Sequence, residues 1–162
     1  MNVSETSIDQ DTMKLIQSCA ANAASFLSIN PEQVSPARAV GAIDQYIHDL
    51  QTAKTQFTNE EEDPAYLFGS FWGQQICRGL GWQWANVVFH DHSDSEAVGV
   101  FSPDRSLAIY PFHFIYGCLE NGAPVTIQLA FNMLSDGSGI PDLPPRGYEN
   151  VMDNVHHIVP RG

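Results

Sequence analysis

The run His90-Asp91-His92-Ser93-Asp94 has the residue types closest to a chemical site. Imidazole nitrogens and carboxylate oxygens are ordinary ligands of zinc and related ions. On an extended segment His90 and His92 point to one face, as two ligands must. Asp94 would complete the donor set of a small metal-dependent hydrolase. The spacing fixes no further ligand, and the plainer reading is a solvated hairpin tip. The other histidines give less. His156 and His157 are adjacent rather than spaced for one face, and His48 and His113 stand alone on predicted helices.

Cys19, Cys77 and Cys118 are odd in number and far apart, so neither a disulfide framework nor a zinc knuckle fits. A nucleophilic cysteine needs a neighbouring base and a lowered pKa. Each of these is expected instead to be a small buried apolar residue. The chain has no Gly-x-Ser-x-Gly elbow, and Gly79-Leu80-Gly81 ends a predicted helix, whereas a phosphate loop begins one. No cofactor is expected.

The densest charge is Glu60-Glu61-Glu62-Asp63, just ahead of Pro64. Carboxylates there favour a helix N-terminus. The same run can also face a basic protein partner and accelerate its association. Glu60, Glu61, Glu62 and Asp63 are therefore the first candidate partner contacts, with Asp91 and Asp94 second.

Composition narrows the partner. Of 162 residues, 19 are acidic and 7 basic, for a formal net charge of -12. The Lys and Arg residues are scattered. Nucleic acid and anionic membrane surfaces are both repelled by such a body. Residues 1–11 show no basic, apolar leader, and no apolar run approaches the roughly 20 residues needed to span a bilayer. These features lead to the expectation of a cytoplasmic protein.

The elements that must position these residues are legible in the pattern. Met13, Ile16, Ala20, Ala24 and Leu27 mark one helix face. Val40, Ile43, Ile47 and Leu50 mark another, with Ser35 as N-cap and Pro36 in the first turn. The short link predicts an antiparallel hairpin of these two helices over 11–57. A third helix starts at Pro64 and carries Ala65, Gly69, Gly73 and Cys77 on one strip. Two glycines in register predict a close backbone approach there, or a homodimer through that strip.

Strand signals follow at 82–89, 96–101 and 106–110, separated by turns, and predict an antiparallel meander. Pro111 and Pro124 open two more helices, ended by Asn121-Gly122 and Asp136-Gly137. The expected architecture is α+β: N-terminal helices on a small antiparallel sheet of three strands or slightly more, then two helices. One domain covers 1–137, made of the hairpin, the glycine-bearing helix and meander over 60–110, and two helices over 111–135. Residues 138–162 form a Pro- and Gly-rich tail.

Residues 66–84 read Tyr-Leu-x-Gly-x-x-x-Gly-x-x-Ile-x-x-x-Leu-Gly-x-x-Trp, and 110–122 read Tyr-Pro-Phe-His-Phe-Ile-Tyr-Gly-Cys-Leu-Glu-Asn-Gly. This pattern resembles a group of small bacterial domain-of-unknown-function proteins. Some proteins of that build look like immunity proteins encoded beside antibacterial toxins. The resemblance covers under half of the chain, and its residues specify packing, so no functional residue carries over. It implies a non-enzymatic binding protein that occludes the active surface of a basic toxin. The alternatives are the hydrolase and a structural or regulatory homodimer subunit.

Overall fold

The computed structural model describes residues 3–58, 62–136 and 143–153, without the side chain of His92. The chain runs β1 (Val3–Thr6), α1 (Gln10–Phe26), α2 (Pro36–Gln51), α3 (Pro64–Leu80), β2 (Gln83–Phe89), β3 (Ser95–Phe101), β4 (Leu107–Ile109), α4 (Pro111–Asn121), α5 (Ile127–Asp136) and β5 (Glu149–Asn150). A single 3-10 turn, His90–His92, links β2 to β3. The α+β expectation holds at this level.

Helix α3 is the axis of the helical layer, and its burial all round reflects contacts with α1, α2, α4 and α5. Its ends follow the sequence signals. Asp63 caps the start, its Oδ1 accepting from Ala65 N at 3.0 Å, and Gly81 stops it at φ 73°. The predicted hairpin of α1 on α2 is not the principal packing. The rings of Phe26 and Tyr46 meet at 5.2 Å, but α1 lies mainly on α3, and α2 divides its packing between α3 and α5. Helix α5 starts at Ile127 rather than Pro124. Asp44 of α2 reaches over to accept from Gln128 N at 3.0 Å, and burial raises the Asp44 carboxyl above the usual range.

The sheet has five strands in the order β1-β2-β3-β4-β5. All neighbours are antiparallel except β4 and β5, so the expected antiparallel sheet of three strands or slightly more is a five-stranded mixed one. The two additions are short. Four residues at β1 and two at β5 are too few for alternation to stand out in the sequence. β5 lies in the predicted tail, and Tyr148, Val151 and Met152 beside it are buried, so the packed chain continues past residue 137. The rest of that tail, including His156 and His157, lies outside the described residues.

The strands alternate cleanly. Trp84, Val100 and Ile109 are cross-strand neighbours and join the helical core. Ala85, Val87, Phe101 and Ala108 face the other side, where Tyr148 packs on them. On the helix side Phe112 stacks between Tyr66 and Trp84, with centroids 4.7 and 5.7 Å away and planes tilted by 9° and 17°. This stack explains the two glycines. A Cβ on Gly69 would lie 2.7 Å from the Phe112 ring, and one on Gly73 would fall within the Trp84 ring. At Gly69 the Phe112 backbone nitrogen also lies 3.2 Å from the added Cβ, so the predicted backbone approach is met there, whereas at Gly73 the neighbour is the Trp84 indole. Homodimerisation through this strip is overturned, because the rings already cover it.

Candidate functional site

Three places gather polar or ligand-sized features. The first is the end of the β2–β3 hairpin. Its turn puts Ser93 and Asp94 at φ 58° and 55°, in the left-handed region that Asp tolerates better than most residues. The chain doubles back, so Asp94 Oδ1 sits 2.7 Å from His90 Nδ1. The β1–β2 register pairs Val3 with Phe89 and Ser4 with Val88. That places Ser4 Oγ 2.6 Å from His90 Nε2. Both imidazole nitrogens are thus engaged within the chain.

The geometry bears on the metal expectation at His90 and Asp94 alone, because the side chain of His92 lies outside the described residues. No group of three or more His, Cys, Asp or Glu residues is placed to hold a metal ion among the described residues. His90 would have to abandon Ser4 or Asp94 to become a ligand. Asp91 is exposed and has its own interaction within the chain.

The second place is polar and structural. Arg105 holds Glu5 through Nε to Oε2 and Nη2 to Oε1, both at 2.9 Å. Tyr148 Oη donates to Glu5 Oε2 at 3.0 Å, and Arg105 Nη1 donates to Ser102 O at 3.0 Å. The Arg105 hydrogen bonds and charge hold the Glu5 carboxyl below its ordinary value, and Glu5 raises the Arg105 guanidinium in turn. The clamp joins β1, the β3–β4 turn and the residue before β5. No spacing in the sequence announces it, since its partners lie 100 and 143 residues from Glu5.

The third place is a groove of about 640 Å³ between the far end of β3, α4 and the segment after β5. Phe89, Ala97, Tyr110, Phe114, Pro124 and Met152 give it an apolar lining, with Glu96, His113 and Asp153 among its polar members. One wall is a strand edge. β4 meets β3 only at Val100 and Phe101, and among the described residues 95–99 pair with β2 alone. Tyr110 lies against this wall. Burial pushes its phenol up to about 12, and its hydroxyl has no hydrogen-bond partner among the described residues.

The predicted contact residues fall elsewhere. Glu60 and Glu61 lie outside the described residues. Glu62 is half-buried and Asp63 is committed to capping α3. Asp91 and Asp94 sit at the hairpin tip, and none of the four described residues lines the groove. The cysteines are free and buried or half-buried, and desolvation pushes the Cys77 and Cys118 thiols up to about 11. A thiol held protonated is a poor nucleophile.

No helix among the described residues is long and apolar enough to cross a membrane. Comparison of the chain with protein-family models, with curated proteins and with solved structures finds no match.

Proposed function

We propose that the protein is a cytoplasmic binding protein that takes an extended segment of a partner protein, apolar with basic flanks, into the groove beside β3. The observation that carries this reading is the coincidence of an apolar groove with a strand edge that stays unpaired among the described residues. An extended segment laid along such an edge gains main-chain hydrogen bonds, and its alternate side chains enter the apolar lining. Glu96 and Asp153 supply negative charge there, and among the described residues no Lys or Arg lines it. With the net charge of -12, this favours a basic partner and speeds its approach. In the immunity-type form of this reading, the captured segment belongs to a toxin's active surface, and binding occludes it.

The test uses a synthetic octapeptide of alternating Val and Lys, and its analogue N-methylated at alternate amides, titrated by calorimetry. The unmethylated peptide should bind at least about tenfold more tightly, because methylation removes the donors an added strand uses. Reversing the rim with Glu96→Lys and Asp153→Lys should weaken it by a similar factor at low salt. Equal affinity for both peptides, unchanged by the reversal, would remove the groove from the argument.

A further inference from the structure

We propose that Ser4, His90 and Asp94 form a nucleophilic relay in which Ser4 Oγ accepts the acyl group of small carboxylic esters. The inference is independent of the groove, which these residues do not line. Its basis is the order of contacts. Asp94 Oδ1 takes the Nδ1 side of the imidazole at 2.7 Å, and Ser4 Oγ takes the Nε2 side at 2.6 Å. A carboxylate on Nδ1 selects the tautomer that carries its proton there. Nε2 is then left as the acceptor for the Ser4 hydroxyl proton. A nucleophile bonded to a base, itself oriented by a third group, is the arrangement that activates serine in unrelated folds.

The fold holds the three in place from two directions. The β1–β2 register fixes Ser4, and the left-handed pair Ser93 and Asp94 folds the carboxylate back over His90. Holding Ser93 in that region costs free energy, and backbone strain of this kind collects at functional sites. Among the described residues β1 is an edge strand of the sheet, so amide N–H groups on its outer side are available to an oxyanion. The side chains of His90 and Asp94 are 36% and 72% exposed, so the reacting atoms are open to solvent. Open surroundings suit a small, unhindered ester and a slow reaction, because water screens the developing charges.

The chemistry closes with water as co-reactant. Ser4 Oγ bonds to the carbonyl carbon while its proton passes to His90 Nε2. The bond from that carbon to the alcohol oxygen breaks, and the leaving alkoxide takes the proton from Nε2. Water then adds to the acyl carbon and gives its proton to Nε2. The bond to Ser4 Oγ breaks, Oγ recovers a proton, and the carboxylic acid is released. Ser4 is the nucleophile, His90 the base, and Asp94 a positioning residue.

A fluorophosphonate probe tests the relay on the full chain. Ser4 Oγ displaces fluoride from phosphorus, its proton passing through His90 to solvent, and peptide mass mapping locates the adduct. The expected result is an adduct on Ser4 that forms about 100-fold more slowly in His90→Gln. Asp94→Asn should slow it as well, with unchanged circular dichroism. Imidazole added to His90→Ala should restore labelling, which a purely structural role would not do. Folded protein without an adduct at Ser4, or labelling equally fast in His90→Gln, would overturn the proposal. The same variants should change hydrolysis of 4-nitrophenyl acetate in parallel.

Discussion

Ser4 and Glu5 are neighbours on β1, and strand alternation sends them to opposite faces of the sheet. Each meets a polar partner far along the chain, yet the two clusters differ in kind. Glu5 enters a half-buried clamp, with side-chain exposures of 22% for Glu5 and 18% for Arg105. Ser4 joins an exposed chain of hydrogen bonds through His90 to Asp94. Burial separates their roles. In the clamp, removal of one partner strands a charge with little water to replace it, so the contact stabilises the fold. At the hairpin tip water substitutes readily, so the contact adds little stability and leaves the reactive atoms open. The Tyr66–Phe112–Trp84 stack, with no polar group to satisfy, marks the rigid extreme of the same comparison.

The largest effect should come from that rigid extreme. Gly73→Ala gains about 1 kcal/mol of helix propensity. It also drives a methyl against two carbons of the Trp84 ring, and overpacking of a filled core costs about 1–3 kcal/mol and occasionally more, so at the upper end of that range or beyond the net loss is about 2 kcal/mol or greater. Because the obstacle is a ring stacked on Phe112, the clash should win and the denaturant midpoint should fall. A rise would show that Trp84 yields cheaply and that the stack is not rigid.

The clamp comes next. Arg105→Ala should cost about 1–2 kcal/mol, held below the fully buried range by the solvent on one side. Its pH signature has a definite sign. The Glu5 carboxyl is depressed in the folded state, so its contribution is present above the ordinary value of 4.5 and is lost as pH falls through the folded value. Glu5→Gln should flatten that acid limb in pH-dependent unfolding, while leaving the neutral region lower by a constant amount. An acid limb unchanged by Glu5→Gln would place the acid sensitivity elsewhere.

The smallest effect belongs to the exposed cluster. His90→Gln should move stability by no more than about 0.5 kcal/mol. A loss as large as that of Arg105→Ala would make the Ser4–His90–Asp94 chain a second clamp and erase the contrast between the faces of β1.

Much of the helical layer was legible in the pattern of residues. Ser35 and Asp63 cap where their side chains and following prolines indicate, and Gly81 and Gly122 stop their helices at positive φ. Apolar periodicity located α1 to α5, because it samples many residues per element. It did not show which helix packs on which. The α1–α2 link is short, yet α1 packs on α3, and α2 on α3 and α5. The candidate sites were less legible. The histidine run attracted notice as ligands, but the partner that reorients it is Ser4, 86 residues away. The groove was invisible because its wall is defined by where β4 stops pairing, which no local signal encodes.

The sequence by itself determined the acidic charge, the helices and their caps, the meander from β2 to β4, and a close approach of another element at Gly69 and Gly73. These depend on local backbone preferences and on repeats of apolar side chains, which are written along the chain. Tertiary structure alone decided that the approaching residues are Phe112 and Trp84, that Glu5 meets Arg105 and Tyr148, and that Ser4 meets His90. Those pairings depend on strand register and on segments far apart in sequence. A one-residue slip of β1 would exchange the faces to which Ser4 and Glu5 point, and both clusters would be lost.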